Sequence, residues 1–148
     1  MCFVCEKSDF QIPTAGEDIL VHKLIDYHPE LGFIASFVGQ NTSFHPIGFY
    51  RYNKKLQPPV ELNPVSRFSD QIEIYEGYHS YHEKIRSTPF YSSLLVEAWI
   101  PAGAQYVTNG REYVSSQLRL GEKVLGTGRG IFDNWNSLEE KLKNLPYE

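Results

Sequence analysis

The sequence predicts an α+β domain: a mostly antiparallel, twisted sheet with a short central helix and a C-terminal helix. Three observations predict it. Short apolar runs, rich in β-branched and aromatic residues, recur between Pro and Gly punctuation, as strands do. The chain is rich in rings, with 9 Phe, 10 Tyr and 2 Trp among 148 residues, and flat rings pack well on a pleated surface. Two Ser-initiated segments carry a Glu three residues on, the pattern of a helix N-terminus. Strands precede and follow the central helical segment, so the order is not a repeating βαβ unit.

In chain order, residues 1–16 read as a loosely ordered lead-in, closed by Pro13 and Gly16. Residues 17–148 then form one domain of ordinary size. Residues 18–25, Asp-Ile-Leu-Val-His-Lys-Leu-Ile, fit a buried strand, and Pro29 marks a turn over 27–30. Residues 31–38 and 47–52 suit two further strands. Pro58, Pro59 and Pro64 make residues 57–64 a loop or an edge, because proline lacks the donor that a ladder needs. Residues 72–75 alternate as a short strand.

Residues 80–86 have Ser80 as a candidate N-cap and Glu83 three residues later, and are assigned the central helix. Residues 93–100 form the clearest strand. Asn109-Gly110 signals a type I′ hairpin between strands 105–108 and 112–115. Residues 117–125 add a strand pair interrupted by Gly121. Ser137-Leu138-Glu139-Glu140 opens the C-terminal helix, which Pro146 stops.

Composition narrows the function classes. Hydrophobic residues make up 41% and charged residues 22%, ordinary for a globular domain that can build a core. The formal net charge of −4 speaks against nucleic-acid binding, which rests on clustered Lys and Arg. The two cysteines, Cys2 and Cys5, cannot build a disulfide framework, so a reducing, cytoplasmic compartment is expected. The first ten residues lack the basic start and apolar run of a secretory signal. The apolar run over 94–100 is far too short to span a bilayer, so no membrane partner is expected.

Several clusters offer chemistry. Cys2-x-x-Cys5 is half of a zinc site; His79 and His82 are the one pair that completes it on paper, and two free thiols are the simpler reading, so no metal is expected. His22 shares a strand face with Leu20 and Leu24, as a core histidine or as an anchor for a ligand hydroxyl. Gly77-Tyr78-His79-Ser80-Tyr81-His82 gathers rings, hydroxyls and imidazoles that suit a flat heteroaromatic ligand; a turn with exposed rings is the plainer alternative. Gly126-Thr127-Gly128-Arg129-Gly130 lacks the spacing of a phosphate loop and reads as a linker.

The second half also carries an ordered set of motifs: Glu76-Gly77-Tyr78-His79-Ser80-Tyr81, then a strand ending Ile100-Pro101-Ala102-Gly103, then Gly110-Arg111-Glu112-Tyr113-Val114, then residues 118–124. This order resembles the later strands of the ADP-ribosyltransferase-like fold, with the strand at 19–25 resembling its first NAD-binding strand. The resemblance covers roughly residues 18–125 and implies NAD as cofactor. It implies that His22 holds the ribose, that Tyr78 or Tyr81 stacks on nicotinamide and that Ser80 falls at the family's Ser-Thr-Ser strand. Glu112 is implied as the catalytic carboxylate. Gly110 stands where Arg-modifying members carry Gln or Glu, which points away from Arg-directed transfer. The sequence therefore supports an NAD- or nucleotide-interacting domain, with mono-ADP-ribosyl transfer as the specific form. A non-catalytic viral or accessory protein that captures a host protein or a signalling nucleotide is the alternative.

Overall fold

The computed structural model describes residues 3–28, 32–35, 56–57, 59–68, 70–74, 76–85 and 93–128. Ten strands are present among them: β1 (Phe3–Glu6), β2 (Ile19–His28), β3 (Gly32–Ala35), β4 (Pro64–Phe68), β5 (Gln71–Ile74), β6 (Tyr78–His82), β7 (Ser93–Ile100), β8 (Tyr106–Thr108), β9 (Glu112–Ser115) and β10 (Arg119–Thr127). One 3₁₀ turn, Lys7–Asp9, follows β1. All strand pairings are antiparallel. The architecture is therefore antiparallel β, and the α+β assignment is corrected. No helix among the described residues is long and apolar enough to cross a membrane.

The central helix fails for a local reason. Residues 78–82 are a strand, paired to β9 along its length and to β2 at its end. Those ladders take the backbone groups that a helix would use internally, and Tyr-His-Ser-Tyr-His is a β-favouring run. Helical character is reduced to one turn, in which the Ile85 N–H donates to the His82 carbonyl. The Ser80 hydroxyl is buried instead of capping. The segments 47–52 and 137–144 lie outside the described residues.

Seven strands form the main sheet, in the order β10-β7-β2-β6-β9-β8, with β3 added to the far end of β2. Strands β2 and β7 are its spine, in continuous register from Ile19↔Ile100 to Asp26↔Ser93. One face carries Val21, Ile25, Leu94, Val96, Ala98, Ile100, Leu120 and Tyr78 into the larger core. Leu118 and Ala104 complete it from the connecting turns.

The smaller sheet has the order β1-β5-β4. Residues 3–6, in the segment read as a lead-in, are thus a strand of this sheet. Its Cys5, Ile72 and Ile74 pack with Leu62 against Val107 and Val114, which lie on the opposite face of the main sheet. Val107 and Val114 are register partners, so both point to that face.

Two turns differ from expectation. Asn109 pairs with Glu112, which makes Gly110-Arg111 the hairpin centre. Gly110 has φ +91°, and Asn109 does not have positive φ. This is the Gly-X arrangement and not type I′, which needs positive φ at two residues. The Asn109 Oδ1 accepts from the N–H groups of Arg111 and Glu112, at 3.0 and 2.9 Å. Strand β10 runs straight through Gly121, with register shifts on either side of Val124 absorbing the irregularity. A Cβ on Gly121 would lie 2.7 Å from the Glu97 carbonyl oxygen, so glycine is there for close approach and not for a break.

Candidate functional site

Antiparallel register places directly opposite residues on the same face of a sheet. Reading across the main sheet, Glu97 of β7 faces His22 of β2, His22 faces Tyr81 of β6, and Tyr81 faces Glu112 of β9. Four strands thus line up carboxylate, imidazole, phenol and carboxylate in one transverse stripe. His22 and Glu112 are two strands apart, or about 10 Å at the usual strand spacing. The stripe lies on the face opposite the larger core.

His22 is 3% exposed. Its Nδ1 lies 3.2 Å from the Ile85 carbonyl oxygen. A carbonyl accepts only, so Nδ1 carries a proton, and Nε2 is an acceptor whenever the ring is neutral. The turn after β6 supplies that carbonyl, which ties the orientation of the imidazole to the end of the Tyr81 strand. Tyr81, Glu97 and Glu112 are half-buried. Burial pushes the Glu112 carboxyl above the usual carboxylate range, against the Asn109 side chain and the Arg111 charge, which pull it down.

Tyr78 and Ser80 alternate with Tyr81 along β6 and so point to the other face. Tyr78 is fully buried in the larger core. The Ser80 Oγ is buried and has no hydrogen-bond partner among the described residues. Of the five residues singled out from the sequence, His22, Tyr81 and Glu112 share one face, and Tyr78 and Ser80 share the opposite one.

His79 and His82 also point to opposite faces, being three apart in a strand. Among the described residues, no group of three His, Cys, Asp or Glu side chains could hold a metal ion. His82 instead stacks on Tyr113, centroids 6.3 Å apart, and Tyr113 leans on Tyr106 at 6.0 Å.

Sequence reasoning missed Glu97 and Trp99. Glu97 lies inside an apolar strand, and nothing local marks it as the neighbour of His22. Trp99 pairs with Leu20 and Arg119. The Arg119 guanidinium lies 5.2 Å from the centre of the Trp99 ring and bonds the Asp18 carboxylate at 2.9 Å. Asp18 also accepts from the Ala102 N–H at 2.9 Å, which ties the start of β2 to the turn after β7.

No protein-family model, curated protein or solved structure matches this chain.

Proposed function

We propose that this chain is an NAD- or nucleotide-interacting domain whose ligand lies along the stripe of His22, Tyr81 and Glu112, with mono-ADP-ribosyl transfer as the specific reaction. The observation that supports the reading is the unbroken register from His22 through Tyr81 to Glu112. It sets a buried acceptor imidazole, an aromatic ring and a carboxylate on one side of the sheet. The ring offers an apolar face to a flat base. The imidazole accepts from a ribose hydroxyl. When the bond between ribose and nicotinamide breaks, its electron pair leaves with nicotinamide and positive charge develops on the sugar. A carboxylate aimed at that sugar stabilises the charge as it forms.

Calorimetric titration with NAD, paired with NAD turnover, tests this. Binding heat is expected for the native chain and is lost in Tyr81→Ala. Turnover is expected to fall about 100-fold in Glu112→Gln, the scale for removing one preorganised electrostatic contact. Absence of heat with NAD, together with turnover unaffected by Glu112→Gln, overturns the reading.

A further inference from the structure

Asn109 and Gly110 stand exposed at a hairpin tip, and the polar atoms that would react to join them into a ring are all held by hydrogen bonds. The Asn109 Oδ1 accepts from the Arg111 and Glu112 N–H groups, at 3.0 and 2.9 Å. The Asn109 Nδ2 donates to the Val4 carbonyl at 3.2 Å. The Gly110 N–H donates to the Thr108 Oγ1 at 3.0 Å, and that hydroxyl donates in turn to the Glu112 carbonyl at 2.9 Å. The Nδ2 bond reaches out of the hairpin. Val4 belongs to β1, whose Cys5 is 7% exposed in the smaller core.

An asparagine followed by glycine can close on itself, because no side chain shields the glycine nitrogen. Space is open where a Cβ of Gly110 would stand. In the ring-closing step the Gly110 nitrogen gives its proton to water and bonds to the Asn109 Cγ. The Cγ–Nδ2 bond breaks, Nδ2 takes a proton from water, and ammonia leaves a cyclic imide. Water then opens the imide. Breakage at Cγ gives aspartate, and breakage at the main-chain carbonyl gives isoaspartate. The bonds to Thr108 and Val4 oppose ring closure, since they hold the nucleophile and the leaving group where they are.

We propose that Asn109-Gly110 is a deamidation site, restrained in the folded hairpin by Thr108, whose aspartate product loosens β1. An aspartate at 109 still accepts from the Arg111 and Glu112 N–H groups, so the turn keeps those bonds. It has no donor for Val4, and a carboxylate then faces a carbonyl oxygen, acceptor against acceptor. Strand β1 is at the edge of its sheet. Loss of this tie raises its local opening, which uncovers the Cys5 thiol.

Peptide mass spectrometry at mildly alkaline pH follows conversion at position 109 in the native chain, folded and in urea, and in folded Thr108→Val. Conversion is expected in all three and is fastest in urea. It is expected to run about fivefold faster in Thr108→Val than in the native fold, the worth of one hydrogen bond. No conversion in urea overturns the site. A folded native chain that converts as fast as the unfolded one overturns the restraint, whether or not Thr108→Val folds. Equal rates in the native fold and in folded Thr108→Val overturn the role of Thr108. A second measurement labels Cys5 with N-ethylmaleimide in Cys2→Ser, which leaves one thiol, with and without Asn109→Asp. Asn109→Asp is expected to label about fivefold faster. Equal labelling overturns the tie to β1.

Discussion

Val114 of β9 packs directly onto the α-carbon of Gly77, the residue that leads into β6. A Cβ at position 77 would collide with Val114 Cγ1 and lie 2.7 Å from Leu62 Cδ2. Gly77 also has φ +133°, a conformation that side chains with a Cβ rarely adopt. The contact belongs to the smaller core, which holds both Val114 and Leu62.

Gly77→Ala therefore meets two penalties, overpacking and backbone strain. Together they are expected to cost about 3 kcal/mol. For a domain of this size that lowers the thermal midpoint by about 10 °C. Differential scanning calorimetry checks it; a change of 1–2 °C, roughly the shift expected from less than 1 kcal/mol, would mean that Val114 and Leu62 yield freely.

The burial of Glu112 has a pH signature. Its folded pKa is raised, chiefly by burial, so the folded state holds its proton more tightly than the unfolded chain does. Stability from this group is fully present below the unfolded pKa and is lost as pH rises through the folded one. Glu112→Gln removes the ionisation. Its stability relative to the native chain is expected to improve on passing from acid to neutral pH. Urea unfolding on both sides of the carboxylate range measures this, and a difference independent of pH contradicts it.

Lys23 is 5% exposed, on the same face as Val21 and Ile25. Strands β2 and β6 are in register at Val21↔His82 and His22↔Tyr81, and the pairing stops there. At that point the Lys23 ammonium donates to the His79 carbonyl, bridging the two strands where their ladder ends. Lys23→Met keeps the packed stem and gives up the donor, at about 1 kcal/mol. Lys23→Ala loses the packing as well, and about 3 kcal/mol is expected. Urea midpoints that rank Met well above Ala support the stem as the larger contribution. Equal midpoints would assign it to the ammonium.

Alternation and punctuation carried much of the strand content. Residues 93–100 read as a strand and are β7; residues 72–75 gave β5 within a residue; the segments flanking Asn109-Gly110 are β8 and β9. These stretches have local patterns that burial on one or both faces enforces. The strands without such patterns were not legible. Strand β4 begins at Pro64, which is tolerated because it is the first residue of an edge strand. Strand β1 is four residues long and exists only by pairing with β5, 65 or more residues away. Ser80 and Glu83 mimic a helix start, and only the ladders on both sides of β6 override it.

For the site, residue chemistry was determined by the sequence alone. The sequence alone supplies the imidazole of His22, the phenol of Tyr81 and the carboxylate of Glu112, and period-two alternation puts His22 with Leu20 and Leu24. Their assembly was decided by tertiary structure. Which strand lies beside which, and in what register, depends on contacts between segments tens of residues apart, and a shift of one residue would turn Tyr81 to the other face. The same register brought Glu97 beside His22 and turned Tyr78 and Ser80 away, because side chains in a strand follow the pleat and not their proximity in the chain.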